Sequence, residues 1–229
     1  MPRVVPAAQS GTTVGSMEVR TRWPWEPPEP PAGEPGPDLE PELAPWLAEK
    51  LFARRIVFLR GTLTHHTAST AAASLLSLDL AEDLNGDPAD PDVEPVQLHL
   101  AAPDGELEAA LSLMDVIDGL RVPVRAVATA EVGGAAVGVY AVAGHRVAYP
   151  HARFRLGEPR VSDLAGTADD IAAAAGRHLR ALEDLVVRVA EATGRPRSRV
   201  EDDFGTGLLL DAAQAQEYGL VHEVRRPHR

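Results

Sequence analysis

The chain has 229 residues, a formal net charge of −12, 45% hydrophobic residues and no cysteine. Its acidity argues against a general role on nucleic acid or anionic membranes, and the lack of cysteine excludes disulfides, cysteine nucleophiles and thiolate metal sites. The apolar fraction suffices for a sizeable core. No signal-peptide core and no run of roughly 18 apolar residues is present, so a cytoplasmic protein without a spanning helix is expected.

Residues 1–41 differ from the rest. WPWEPPEPPAGEPGPDLEPE is dense in Pro, Glu and Gly, has little to bury, and is expected to be extended or disordered, with Trp23 and Trp25 as anchors if it docks. Residues 42–229 are expected to form one domain.

From Pro45, WLAEKLFARR reads as a short helix, and IVFLRG (56–61) as a buried strand closed by glycine. Residues 67–84 have helical spacing, with Thr67 as the expected N-cap. NGDPADPDVEP (85–95) is an acidic loop, and VQLHLAA (96–102) alternates as a strand. PDGELEAALSLMDVIDGL (103–120) turns at Asp104-Gly105 into a helix, and VRAVATA (124–130) is the next strand. RVAYP (146–150) and ARFRL (152–156) are short strands, followed by a loop, GEPRVSDLAGT. The longest helix covers 168–194, with Ile171, Leu179, Leu182, Leu185, Val186 and Val189 on one stripe and Gly194 as its cap. SRVEDDF is a short helix. Residues 208–224 read as a helix, a stop at Gly219 and a final strand. Strands separated by helical crossovers predict an α/β fold with a largely parallel sheet.

The chemistry centres on VATAEVGGAAVGVYAVAG (127–144): a strand, the turn Gly133-Gly134, then an apolar helix. That layout presents backbone N–H groups and one side chain at a helix start, a place suited to a nucleophile. Ala135 and Ala136 stand there.

Five segments in order resemble the proteolytic-subunit (ClpP) family of Clp proteases, within the ClpP/crotonase superfamily. LFARRIVFLRG resembles its helix and IIFLGG-type strand, and PDGELEAALSLMDVI its Pro-Gly-Gly turn and helix. GGAAVGVYAVAG resembles the Gly-rich segment that carries the nucleophile. AEATGRP resembles the end of its long helix, and AQEYGLVHEV its closing motif. The resemblance covers roughly residues 46–224 and implies a ClpP/crotonase-like fold of repeated β-β-α units with a protruding long helix.

That family hydrolyses peptides with a serine, a histidine base and an orienting aspartate, and the serine depends on its base. Carried over, the serine falls on Ala135, or on Ala136 if Gly138 is matched to the family's following glycine, or on Gly134 in an upstream register. Residues 130–161 contain no Ser, Thr or Cys in any case. RFRLGEP places Gly157 at the histidine, and Gly207 falls at the aspartate. The resemblance therefore implies an inactive site with no cofactor and no metal. It leaves an oxyanion-hole-like backbone at Gly105 and at Ala136 or Val137.

Other candidates are weaker by type and place. Ser112, Thr129, Ser162, Thr167, His145, His151 and Glu158 have no evident partners for catalysis. His65-His66 lacks a third ligand, and as adjacent loop residues the pair would point apart. Asp203 and Asp211 lie four positions either side of Gly207. The resemblance further implies a heptameric or stacked homo-ring, or a hetero-oligomer with an active ClpP, served by an AAA+ unfoldase such as ClpX or ClpC. The alternatives are an active Clp-type peptidase with an unrecognised triad, a crotonase-like enzyme using the same amides, which lacks an obvious coenzyme-A phosphate cluster although Arg121, Arg125, Arg146, Arg153 and Arg155 could contribute to one, or a binding module that forms no ring.

Overall fold

A computed structural model describes residues 44–85, 94–159 and 166–225. The N-terminal segment 1–41, most of the acidic loop 85–95 and Ser162 lie outside the described residues.

The elements in order are α1 (Pro45–Phe52), β1 (Ile56–Arg60), α2 (His65–Asn85), β2 (Val96–Ala101), α3 (Leu107–Gly119), β3 (Val124–Ala128), β4 (Glu131–Gly133), α4 (Ala136–Ala141) and β5 (His145–Ala148). They continue with β6 (Arg153–Leu156), α5 (Ala168–Thr193), α6 (Arg197–Thr206), β7 (Leu208–Asp211), α7 (Ala212–Tyr218) and β8 (Glu223–Val224). The α/β order read from the sequence is the order found.

Two sheets result. Five parallel strands run β1-β2-β3-β5-β8, and a smaller sheet runs β4-β6-β7, with β6 and β7 antiparallel. The units β3-β4-α4 and β5-β6-α5 repeat one plan: the first strand joins the large sheet and the second joins the small one. Alternation decides which face is covered. Val57, Leu59, Leu98, Leu100, Ala126 and Ala128 point inward and are buried in one cluster with Leu75 and Leu78 of α2 and Leu113 of α3. At about 25 cal/mol per Å² of apolar surface, this burial is the principal stabilising term.

Three readings are corrected. Helix α2 begins at His65, before Thr67: Thr64 and Thr67 exchange bonds, the Thr64 hydroxyl accepting from the Thr67 N–H at 3.3 Å and the Thr67 hydroxyl from the Thr64 N–H at 2.8 Å. Leu208–Leu210 is strand, because β6 supplies a ladder that outweighs local helix pattern. The α5 stripe divides: Leu185, Val186 and Val189 are buried, whereas Ile171 is 42% and Leu179 65% exposed. Thr167 is the N-cap of α5 in a capping box with Asp170, and Gly194 closes it in the left-handed region at φ 67°.

Buried polar groups tie the layers together. The Asp79 carboxylate of α2 accepts from the backbone N–H groups of Arg121 and Val122 at 2.9 and 3.0 Å, holding the α3–β3 turn. Arg146 of β5 donates to the carbonyls of Ala141, Ala143, Ala192, Gly219 and Leu220, so one guanidinium serves the C-terminal ends of α4, α5 and α7. Among the described residues, no helix is long and apolar enough to cross a membrane.

Candidate functional site

The site forms where the small sheet meets the start of α4. Gly133 donates its N–H to Ala102 at 2.9 Å, and Gly134 donates to Arg155 at 3.1 Å, so the chain is laced between the end of β2 and β6. No side chain fits at 133, because a Cβ there would run into the Pro103 carbonyl oxygen. Gly134 takes φ +54°, a left-handed turn that suits glycine, and delivers Ala135 as the N-cap of α4. Ala135 and Ala136 are fully buried.

The end of β6 runs past this turn. A Cβ built on Gly134 would lie 3.8 Å from the Cα of Pro159, two residues beyond Gly157. Strands β6 and β7 pair Leu156 with Leu208 on their last rung, and Gly157 and Gly207 are the next residues beyond it. A Cβ on Gly157 meets nothing closer than Arg155 Cγ at 3.7 Å. Gly207 has open space around it but is the C-cap of α6 in the left-handed region at φ 70°, a conformation that itself favours glycine.

The backbone donors differ from the expectation. Gly105 N–H donates to the carboxylate of its own neighbour, Asp104 Oδ1, at 2.8 Å. Val137 N–H donates to the Gly134 carbonyl at 3.2 Å. Of the three expected amides, Ala136 alone donates to no carbonyl or side chain among the described residues. The Asp104 carboxylate also leans over the turn, with Oδ1 3.2 Å from where a Cβ on Gly134 would sit. The Gly105 N–H is committed to that carboxylate and is not open to a developing oxyanion. The sequence reading saw Asp104 only as a turn residue. Its aspartate in place of the family's first glycine was the available signal.

No replacement constellation assembles among the described residues. The Ser112 hydroxyl donates to Glu108 O and the Thr129 hydroxyl to Leu100 O, both as local structure. His65 and His66 lie on the first turn of α2 and not in a loop, with His65 Nε2 3.7 Å from Glu106. His145 sits 3.7 Å from Glu223, and His151 is exposed on the turn before β6. Asp203 is buried, accepting from Tyr218 Oη at 2.8 Å and pairing with Arg199 at 3.2 Å. Burial, followed by this hydrogen bond, pushes the Tyr218 hydroxyl well above its ordinary pKa. Asp211 caps α7 by accepting from Gln214 N–H at 2.8 Å. Neither aspartate turns toward Gly207. Among the described residues no group of three metal-ligating side chains gathers.

Three of the five arginines that could contribute to a phosphate site are otherwise engaged. Arg146 is buried on backbone carbonyls, Arg121 holds Asp79 and Arg155 holds Glu131 at 2.6 Å, so these three are structural cations.

A parallel sheet covered by α2 and α3, with β-β-α units feeding a second small sheet, defines an α/β protein whose candidate site lies at a strand-to-helix turn. The family model described as Clp protease matches residues 43–228, and the chain belongs to that family. Among its relatives is an ATP-dependent Clp protease proteolytic subunit from Paracoccus denitrificans, 32% identical over 182 residues, covering 78% of this chain and 85% of the relative.

Proposed function

We propose that this chain is a catalytically silent homologue of the Clp proteolytic subunit, acting as a structural or regulatory member of a Clp-type ring. What supports this reading is the turn Gly134-Ala135 at the start of α4, with glycine at 157 and 207 just past the β6–β7 ladder and the Gly105 N–H already taken by Asp104. A serine peptidase needs a nucleophile, a base and an anion site, and the positions carried over offer an alanine and two glycines. The crotonase-like alternative is weakened because the Gly105 N–H that an enolate would use is already held by Asp104. Arg121, Arg146 and Arg155 are also spoken for.

The assembly part of the reading draws on the family and on the exposed first half of α5, where Ile171 lies uncovered. The expected forms are a homo-ring, heptameric or stacked, or a mixed ring with an active proteolytic subunit. An ATP-dependent unfoldase is the expected outer partner, and the cytoplasm the expected place. The test is the mass of the purified chain by light scattering, with and without a co-expressed active subunit. A mass near seven or fourteen subunits, or co-assembly, is expected. A monomer under both conditions contradicts the assembly.

A further inference from the structure

Beside the bare turn lies a groove of about 280 Å³ between α5, α6 and the end of β6. It adjoins the site at both ends: Glu158 follows Gly157, and Gly205 precedes Gly207 by two residues. One wall is apolar, formed by Leu179, Leu182, Val186 and Phe204. The rim is acidic, with Glu158, Glu183 and Glu201. Glu183 is engaged by Arg197 at 2.7 Å. Among the described residues, Glu158 and Glu201 have no hydrogen-bond or ion-pair partner.

We propose that this groove binds a lysine or arginine side chain of an extended polypeptide and holds the peptide without cutting it. The inference rests on the silent-site reading above and adds the class of ligand. A purely apolar side chain entering the groove would strip water from two carboxylates and return nothing to them. A lysine or arginine lays its methylenes on the apolar wall and brings its charge to the rim. Arg197 already does this from within the chain, its guanidinium on Glu183 at the same rim.

The experiment uses the full-length chain and two fluorescein-labelled peptides of one length. One carries Lys and Arg among Leu and Ala; in the other every Lys and Arg is Gln. Anisotropy gives Kd at low and high salt, and mass spectrometry of the recovered peptide reports cleavage. The basic peptide is expected to bind more tightly, with a preference that salt weakens. The E158Q/E201Q variant is expected to bind it about fivefold more weakly, in line with exposed ion pairs. The E108Q/D115N variant, which removes two charges from exposed positions on α3, is expected to match the parent. Equal binding of the two peptides, or equal losses in the two double variants, overturns the inference. Cleavage of the peptide overturns the silent site instead, and the Kd comparison still decides the preference for cations.

Discussion

Leu156 pairs with Leu208 on the last rung of the β6–β7 ladder, and Gly157 and Gly207 are the next residues beyond that rung. On the proposed function these two glycines stand where an active relative carries its base and orienting acid.

That geometry makes the consequences of restoring side chains specific. The variant A135S/G157H/G207D has room at the two glycine positions, and aspartate is among the residues that tolerate the left-handed conformation of residue 207, φ 70°. With Asp104 retained, it is expected to react only slowly with a fluorophosphonate, because a carboxylate holds the Gly105 N–H. Adding D104G is expected to raise the labelling rate by about 10²-fold, the usual worth of an oxyanion donor. Equal rates with and without Asp104 would remove it from the account.

Arg146 is expected to dominate stability among the polar residues. R146A leaves carbonyls at the ends of three helices without their donor and is expected to cost at least ~3 kcal/mol, a fall in Tm of about 10 °C. R146K keeps the charge but loses the planar fork that spans Leu220 and Ala192, so an intermediate loss is expected. Thermal and urea unfolding of the three proteins checks the order.

The glycines of the central stretch differ in what they tolerate. A Cβ at Gly138 would meet Leu185 Cδ1 and, at 2.8 Å, Met114 Sδ, the ends of flexible side chains. G138A is expected to cost about 1–3 kcal/mol through overpacking of α4 on α5. A Cβ at Gly133 would meet a backbone oxygen that cannot rotate away, so G133A is expected to cost more than G138A in urea unfolding.

His222 gives the fold an acid limit. Its Nδ1 accepts from Arg146 N–H at 3.2 Å, which requires the neutral ring. Burial, then the charges of Arg146 and His145, lower its pKa from 6.5. The unfolded chain therefore takes up the proton first. The stability this group contributes is full above about pH 6.5 and is lost as pH falls through the folded value. H222N keeps an acceptor and cannot titrate. Its stability is expected to depend less on pH between 6.5 and 5 than the parent's, measured by urea midpoints across that range.

Much of the fold was legible in the sequence because local signals agreed with tertiary demands. Gly194 and Gly219, placed after periodic apolar runs, are left-handed caps at φ 67° and 91°. The alternation of VQLHLA is the burial alternation of β2. Legibility failed where a distant partner decides. Leu208–Leu210 is strand because β6 lies beside it, and Arg146 is a buried clasp because three helices end around it. The alanines at 135 and 136 and the glycines at 157 and 207 were readable as residues without a reactive side chain. Asp104 and the rim of Glu158 and Glu201 were not, since their meaning comes from residues brought together by folding.

The central claim is that the turn at Ala135 performs no covalent catalysis. The intact mass of the full-length chain after incubation with a fluorophosphonate, alone and mixed with an active proteolytic subunit, tests it most directly. The account predicts an unmodified chain in both samples while the active subunit is labelled. A stoichiometric adduct on any serine of this chain would contradict it.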